Sequence, residues 1–113
     1  MFSTRIEQVN ELITQELGKI ILENIEFEPG VMVTIMRVST SDTLENATVW
    51  VSVFPEGKTG SSLEILTKEI GHLQKFLNRR LALKFVPKIA FKIDKSESYA
   101  SEIEEVFKGI EGE

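Results

Sequence analysis

Two runs rich in β-branched residues, Val31–Val38 and Ala47–Phe54, lie eight residues apart in this chain. In the second run Ala47, Val49, Val51 and Val53 alternate with Thr48, Trp50 and Ser52, the period-two pattern of a strand with one buried and one polar face. The stretch between the runs, Ser39 to Asn46, is polar, and Glu28-Pro29-Gly30 makes a turn before the first. The two runs are expected to pair as a hairpin. An isolated hairpin is marginal in water, so its apolar face must be covered from elsewhere in the chain.

The flanking segments supply that cover. Thr4 with Glu7 three residues on is a capping-box signature, and Ile6, Val9, Ile13, Leu17, Ile20 and Ile21 follow at helical spacing, which predicts a helix over about 4–23. After the loop Pro55–Gly60, Ser61 with Glu64 reads as a second capping box, opening a long helix with the stripe Leu63, Leu66, Ile70, Leu73, Phe76 and Leu77. Gly71 interrupts that stripe. A mid-helix glycine costs about 1 kcal/mol relative to alanine, so a bend or a close backbone contact is expected there. Leu83, Phe85, Ile89, Phe91 and Ile93 then alternate with Lys84, Lys88 and Lys92 as a third strand. Pro87 cannot donate to a ladder and should face an open side or a bulge. Ile103, Val106, Phe107 and Ile110 mark a short acidic helix at the C-terminus. The order is an α+β arrangement, and 113 residues make one domain, 1–113.

Charge is distributed unevenly. The net charge is −5, which by itself opposes nucleic-acid binding. Both ends are acidic, with six glutamates in residues 1–30 and six in residues 96–113. Residues 75–95, by contrast, hold Lys75, Arg79, Arg80, Lys84, Lys88, Lys92 and Lys95 against Asp94 alone. At period two Lys84, Lys88 and Lys92 point the same way, and Arg79 and Arg80 close the helix before them. A solvated face, with cations favoured at a helix C-terminus, explains any three of these. Seven cations in an otherwise acidic chain favour phosphate binding.

Other signals are weaker. Gly57-Lys58-Thr59-Gly60 fails as a phosphate loop, because the required first glycine falls at Ser52. It has the GxxG form that clamps nucleic acid in KH domains, but there that loop joins two helices and here a strand precedes it. A simple loop is the plainer reading. Trp50 sits opposite the presumed core set, where a tryptophan either covers a half-buried sheet face or stacks bases; cover is the commoner role. His72 is the sole histidine and there is no cysteine, so neither a metal site nor thiol chemistry is indicated. Absence of cysteine, of a signal-type apolar segment and of any stretch of about 20 apolar residues leads to the expectation of a cytoplasmic protein without membrane contact. No catalytic constellation is visible.

Three segments, RIEQVNELITQELGKII, VTIMRVSTSDTLENATVWVSVFP and IGHLQKFLNRRLALKFVPKIAFKIDKS, resemble the ribosome-binding factor A family in order and spacing. The resemblance rests on the joint occurrence of Val38, Ser41, Leu44, Ala47 and Val49, then Gly71, then Leu81, Pro87, Phe91, Asp94 and Ser96. It implies a type II KH-like αββααβ fold with a kinked long helix of AxG form and a three-stranded sheet. It further implies a monomer that binds 16S rRNA in the free 30S small ribosomal subunit and supports maturation of the rRNA 5′ end, especially in the cold, with no cofactor and no catalysis. Where the family has the kink alanine this chain has Glu69, and its arginine three residues past the glycine is Gln74 here. Thr43 replaces the aspartate of the inter-strand loop. In the last strand Lys84 and Lys88 stand for an arginine and a glutamate, adding positive charge.

The leading expectation is therefore an rRNA-binding assembly factor using Gly71, Lys75, Arg79, Arg80, Lys84, Lys88 and Lys92. The alternative is a protein-interaction module docking basic ribosomal proteins through its acidic helices. A small enzyme built on the GKTG loop is the weakest reading.

Overall fold

In the computed structural model, which describes residues 4–95, helix α1 (Arg5–Asn24) begins where the capping box places it. Glu7 N donates to Thr4 Oγ1 at 3.1 Å, and Thr4 N donates to Glu7 Oε2 at 3.3 Å. Its buried residues are Val9, Ile13, Leu17, Ile20 and Ile21. Strands β1 (Met32–Thr40) and β2 (Asn46–Phe54) pair antiparallel as the expected hairpin. Helices α2 (Thr59–Lys68) and α3 (Ile70–Arg80) then carry the chain to β3 (Lys88–Ile93), which pairs parallel with β2, giving the order β1-β2-β3. A parallel pair needs a long crossover, and the two helices provide it. The result is the α+β helix-strand-strand-helix-helix-strand order. The expected helix around Ile103–Ile110 lies outside the described residues.

One face of the sheet is buried. Val38, Ala47, Val49, Val51 and Ile89 form a single cluster with the α1 stripe, Leu66, Leu73, Leu77 and Leu81. Each fully buried Val, Leu or Ile contributes about 1.5–3 kcal/mol, so this cluster dominates the stability of the fold. Thr40 is also buried and its hydroxyl donates to Asn10 Oδ1, which ties the end of β1 to α1. A bulge between Ile35 and Arg37 shifts the register of β1. Before it the odd residues Val33 and Ile35 pack against the core, and after it the even residues Val38 and Thr40 do. Arg37 is thereby turned out of the core, as expected of an extra residue in one strand.

Three boundaries differ from the sequence reading. The long helix starts at Thr59, and the Ser61–Glu64 capping box does not form: Ser61 Oγ donates back to Lys58 O at 3.2 Å. A 3-10 turn over Glu56–Lys58 leads straight into α2, with Lys58 N bonded to Pro55 O and Thr59 N to Glu56 O, and this removes the need for a side-chain cap. The helix is interrupted at Glu69, not Gly71. Glu69 has φ −91° and ψ 2°, a sparsely populated region open to any residue, and Gly71 continues α3 as its second residue. A Cβ on Gly71 would meet nothing within 4 Å, so the glycine is not a packing contact either. Finally, β3 starts at Lys88, so Lys84 lies in the loop before it. Pro87 is buried and stands just ahead of the strand, at neither an open side nor a bulge. Without an N–H it cannot join the ladder, whose first bond is Lys88 N to Glu45 O at 2.9 Å.

Gln74 resolves what Pro87 leaves open. Its Nε2 donates to Pro87 O at 3.1 Å and its Oε1 accepts from Ile89 N at 2.9 Å. The primary amide imitates a neighbouring strand at the outer edge of β3 and fixes α3 to the start of that strand. Gln74→Leu, which fills similar volume but offers neither partner, leaves two part-buried backbone groups without those bonds and is expected to cost about 1–3 kcal/mol in a urea melt. Gln74→Glu retains the acceptor for Ile89 N while setting a carboxylate against the Pro87 carbonyl, and its melt should show no recovery towards the parent.

Candidate nucleic-acid interface

The cations of residues 75–95 do not form one surface. On α3, Gly71, Lys75 and Arg79 are exposed and spaced four apart, so they form one stripe along the helix. Lys75 and Arg79 each follow a buried leucine, Leu73 and Leu77, by two residues, or about 200° of helical rotation, which puts the stripe on the side away from the core. Gly71 leaves the helix backbone bare at the upper end of this stripe, next to the interruption at Glu69. There His72 Nδ1 and Glu69 Oε2 are 3.0 Å apart, linking the residues on either side of Ile70 and Gly71. Lys68, exposed in the last turn of α2, adds a cation that the sequence reading did not include. The Arg79 guanidinium carbon lies 5.8 Å from the Phe76 ring centroid.

Lys88 and Lys92 belong to the opposite side. They alternate with Ile89 and the half-buried Phe91 along β3, so they project from the sheet face opposite α1, α2 and α3. Trp50 of β2 lies directly between Arg37 of β1 and Lys92 of β3 in the register. The Arg37 guanidinium carbon is 4.5 Å from the indole centroid and Lys92 Nζ 5.6 Å. Arg37 also approaches Asp94, with Nε 3.9 Å from Oδ2. The sequence reading missed Arg37 because parity from Val33 and Ile35 assigns residue 37 to the core. The change from odd to even apolar positions at Val38 was the available signal of a bulge.

Two predicted residues stand apart from both surfaces. Lys84 is in the loop before β3, with Nζ 5.6 Å from the Phe85 ring centroid, beside a cleft it lines with Arg5 and Leu44. Arg80 is engaged within the protein: Nη2 lies 2.7 Å from Glu23 Oε2 and Nη1 3.7 Å from Glu16 Oε2. Its charge is met by α1, and the residue braces α3 against that helix. In the GKTG segment Lys58 Nζ pairs with Glu28 Oε2 at 2.7 Å. Among the described residues no group of three or more His, Cys, Asp or Glu could hold a metal ion, and no helix is long and apolar enough to cross a membrane.

The ribosome-binding factor A family model matches residues 5–107. Ribosome-binding factor A of Brevibacillus brevis is 35% identical over 114 residues, covering 100% of this chain and 94% of that protein. The Akkermansia muciniphila protein of that name is 36% identical over 94 residues, covering 83% of this chain and 74% of its own length. The crystal structure of ribosome-binding factor A from Thermus thermophilus superposes with a TM-score of 0.69 at 20% identity, covering 80% of this chain and 97% of that one. A homology model of the Thermus thermophilus factor, fitted into a cryo-electron microscopy map of a 30S complex, gives 0.65 at 21% identity and covers 76% and 91%. The structural likenesses carry the fold, and the sequence likeness over nearly the whole length carries the kinship: this chain belongs to the ribosome-binding factor A family.

Proposed function

We propose that the protein binds 16S rRNA on the free 30S small ribosomal subunit during late assembly, as a cytoplasmic monomer, and supports maturation of the 5′ end of that rRNA. The relative fitted into a 30S complex supports the choice of partner. The observation that carries the reading is the exposed stripe Gly71, Lys75 and Arg79, a bare helix backbone followed by two cations with no acid between them, on a chain of net charge −5. An acidic protein approaches RNA only where its local field is positive. Phosphates would engage Lys75, Arg79 and the open-face Lys88 and Lys92, while the missing side chain at Gly71 lets the RNA backbone come close. Lys84 would contribute from its loop. Arg80 serves the fold that presents these residues. RNA shape, not base sequence, would then set specificity at the helix. No catalytic step and no cofactor enter this role.

Docking of basic ribosomal proteins through acidic helices is less well supported. Of the α1 glutamates, Glu7 closes the cap, and Glu16 and Glu23 answer Arg80.

Subunit binding should weaken as salt rises, with a log–log slope set by the number of phosphates engaged. Lys75→Glu with Arg79→Glu is expected to reduce affinity for purified small subunits by about tenfold or more and to lower the slope by about 1.5. Lys58→Ala should change neither, since that ammonium is paired with Glu28. Gly71→Ala tests the bare backbone separately. Because nothing crowds the added methyl, the variant should gain about 0.5–1 kcal/mol in stability while binding subunits less well. Undiminished binding by a stable Gly71→Ala protein would remove the bare backbone at Gly71 from the contact surface.

A further inference from the structure

We infer that the open face of the sheet is a second RNA site, one that takes unpaired nucleotides by stacking a base on Trp50. The inference rests on the RNA-binding reading above and deepens it: the sheet face that there supplies only phosphate contacts from Lys88 and Lys92 is given a base-stacking mode of its own. The three strands, Met32–Thr40, Asn46–Phe54 and Lys88–Ile93, contain no acidic residue, although the chain has 18. Among the described residues, the face they turn away from the core presents Arg37, Lys88 and Lys92, with the hydroxyls of Ser39, Thr48 and Ser52 between them and the exposed Met32 and Met36 in the first half of β1. Asp94, just past β3, lies beside Arg37. Positive charge, hydroxyl donors and one large aromatic ring on a flat surface are what a single strand of RNA requires; an apolar protein helix would have to bury the three cations.

The surroundings of Trp50 point the same way. Its neighbours on this face are small or flexible: Thr48 and Ser52 along β2, Arg37 and Lys92 across the strands, and Ala90 next along β3. Among the described residues the larger side chains near the ring, Arg37, Lys92 and, beside Ser52, Met36, are all flexible. The indole Nε1 is buried and finds no acceptor among the described residues. Each cation–π contact at an exposed site contributes about 0.5–1 kcal/mol, whereas stacking of a base contributes about 1–3 kcal/mol. Together the two contacts contribute about 1–2 kcal/mol, comparable to stacking, so displacement of Arg37 and Lys92 by a base is driven by the phosphates that the released cations then meet on either side of it. Phe54, four residues along β2 or about 13 Å away, is 71% exposed and offers a second ring on the same face.

Trp50 is the only tryptophan in the chain, so its fluorescence reports on this site alone. Titration with short oligouridine should quench it saturably, and the quenching should weaken with salt. Inorganic polyphosphate, which has charge but no base, should leave the emission nearly unchanged. Arg37→Gln and Lys92→Gln keep the ring and should each raise the oligouridine concentration needed for half-quenching by about threefold or more. Trp50→Leu, checked for an unchanged melting midpoint, should bind labelled oligouridine about tenfold more weakly. Unchanged emission at saturating oligouridine, or equal quenching by polyphosphate, would overturn the inference. So would loss of small-subunit association in Trp50→Leu with no RNA-dependent change in the parent's emission, because that pattern assigns the face to a ribosomal protein. The α3 surface is read separately: Lys75→Glu with Arg79→Glu should lose subunit affinity and retain oligouridine quenching. Normal subunit binding without quenching defeats only the sheet site, whereas quenching without subunit binding defeats only the assembly role.

Discussion

Burial of Val49 and Val51 in one cluster with Ile13, Leu17 and Leu73 commits the three-stranded sheet to a single covered face. Helices α1, α2 and α3 lie on that side, and among the described residues the other face carries Trp50 and its cations. The same packing directs Leu73 and Leu77 inward, which sends Gly71, Lys75 and Arg79 outward. Both candidate surfaces are therefore consequences of one hydrophobic arrangement, and they point away from each other because the helix layer and the sheet layer have opposite outer sides.

Two polar devices hold that arrangement in register. Gln74 substitutes for a strand at the beginning of β3, where Pro87 has no donor to give. Arg80, at the C-terminal end of α3, reaches Glu16 and Glu23 on α1. Cations are also favoured near that end by the helix dipole, so its sequence position alone does not separate a binding arginine from a structural one. Only the geometry does, and it sorts six of the seven cations of the basic segment onto different surfaces. Charge counting locates the basic segment but not its faces.

The amphipathic periods were legible. Alternation in Ala47–Phe54 and the 3.6-residue stripe of α1 each have one solution, and the structure adopts them. Family-level identity was legible as well, from residues such as Val38, Gly71, Pro87 and Asp94 at fixed spacing. What was lost depends on interactions between distant residues. The bulge that brings Arg37 beside Trp50 is set by pairing with β2, and the start of β3 by Glu45 and Gln74. Treating Lys84 as part of the strand failed because alternation continues by chance into a loop that proline excludes from the ladder.

As proposed, this chain recognises the small subunit in its immature, unjoined state. Co-sedimentation of the parent protein with purified free 30S subunits, in parallel with fully assembled ribosomes at the same salt concentration, tests it most directly. Retention on free subunits that diminishes with salt, and little on assembled ribosomes, is the expected result. Retention on assembled ribosomes alone, or on neither, would contradict it.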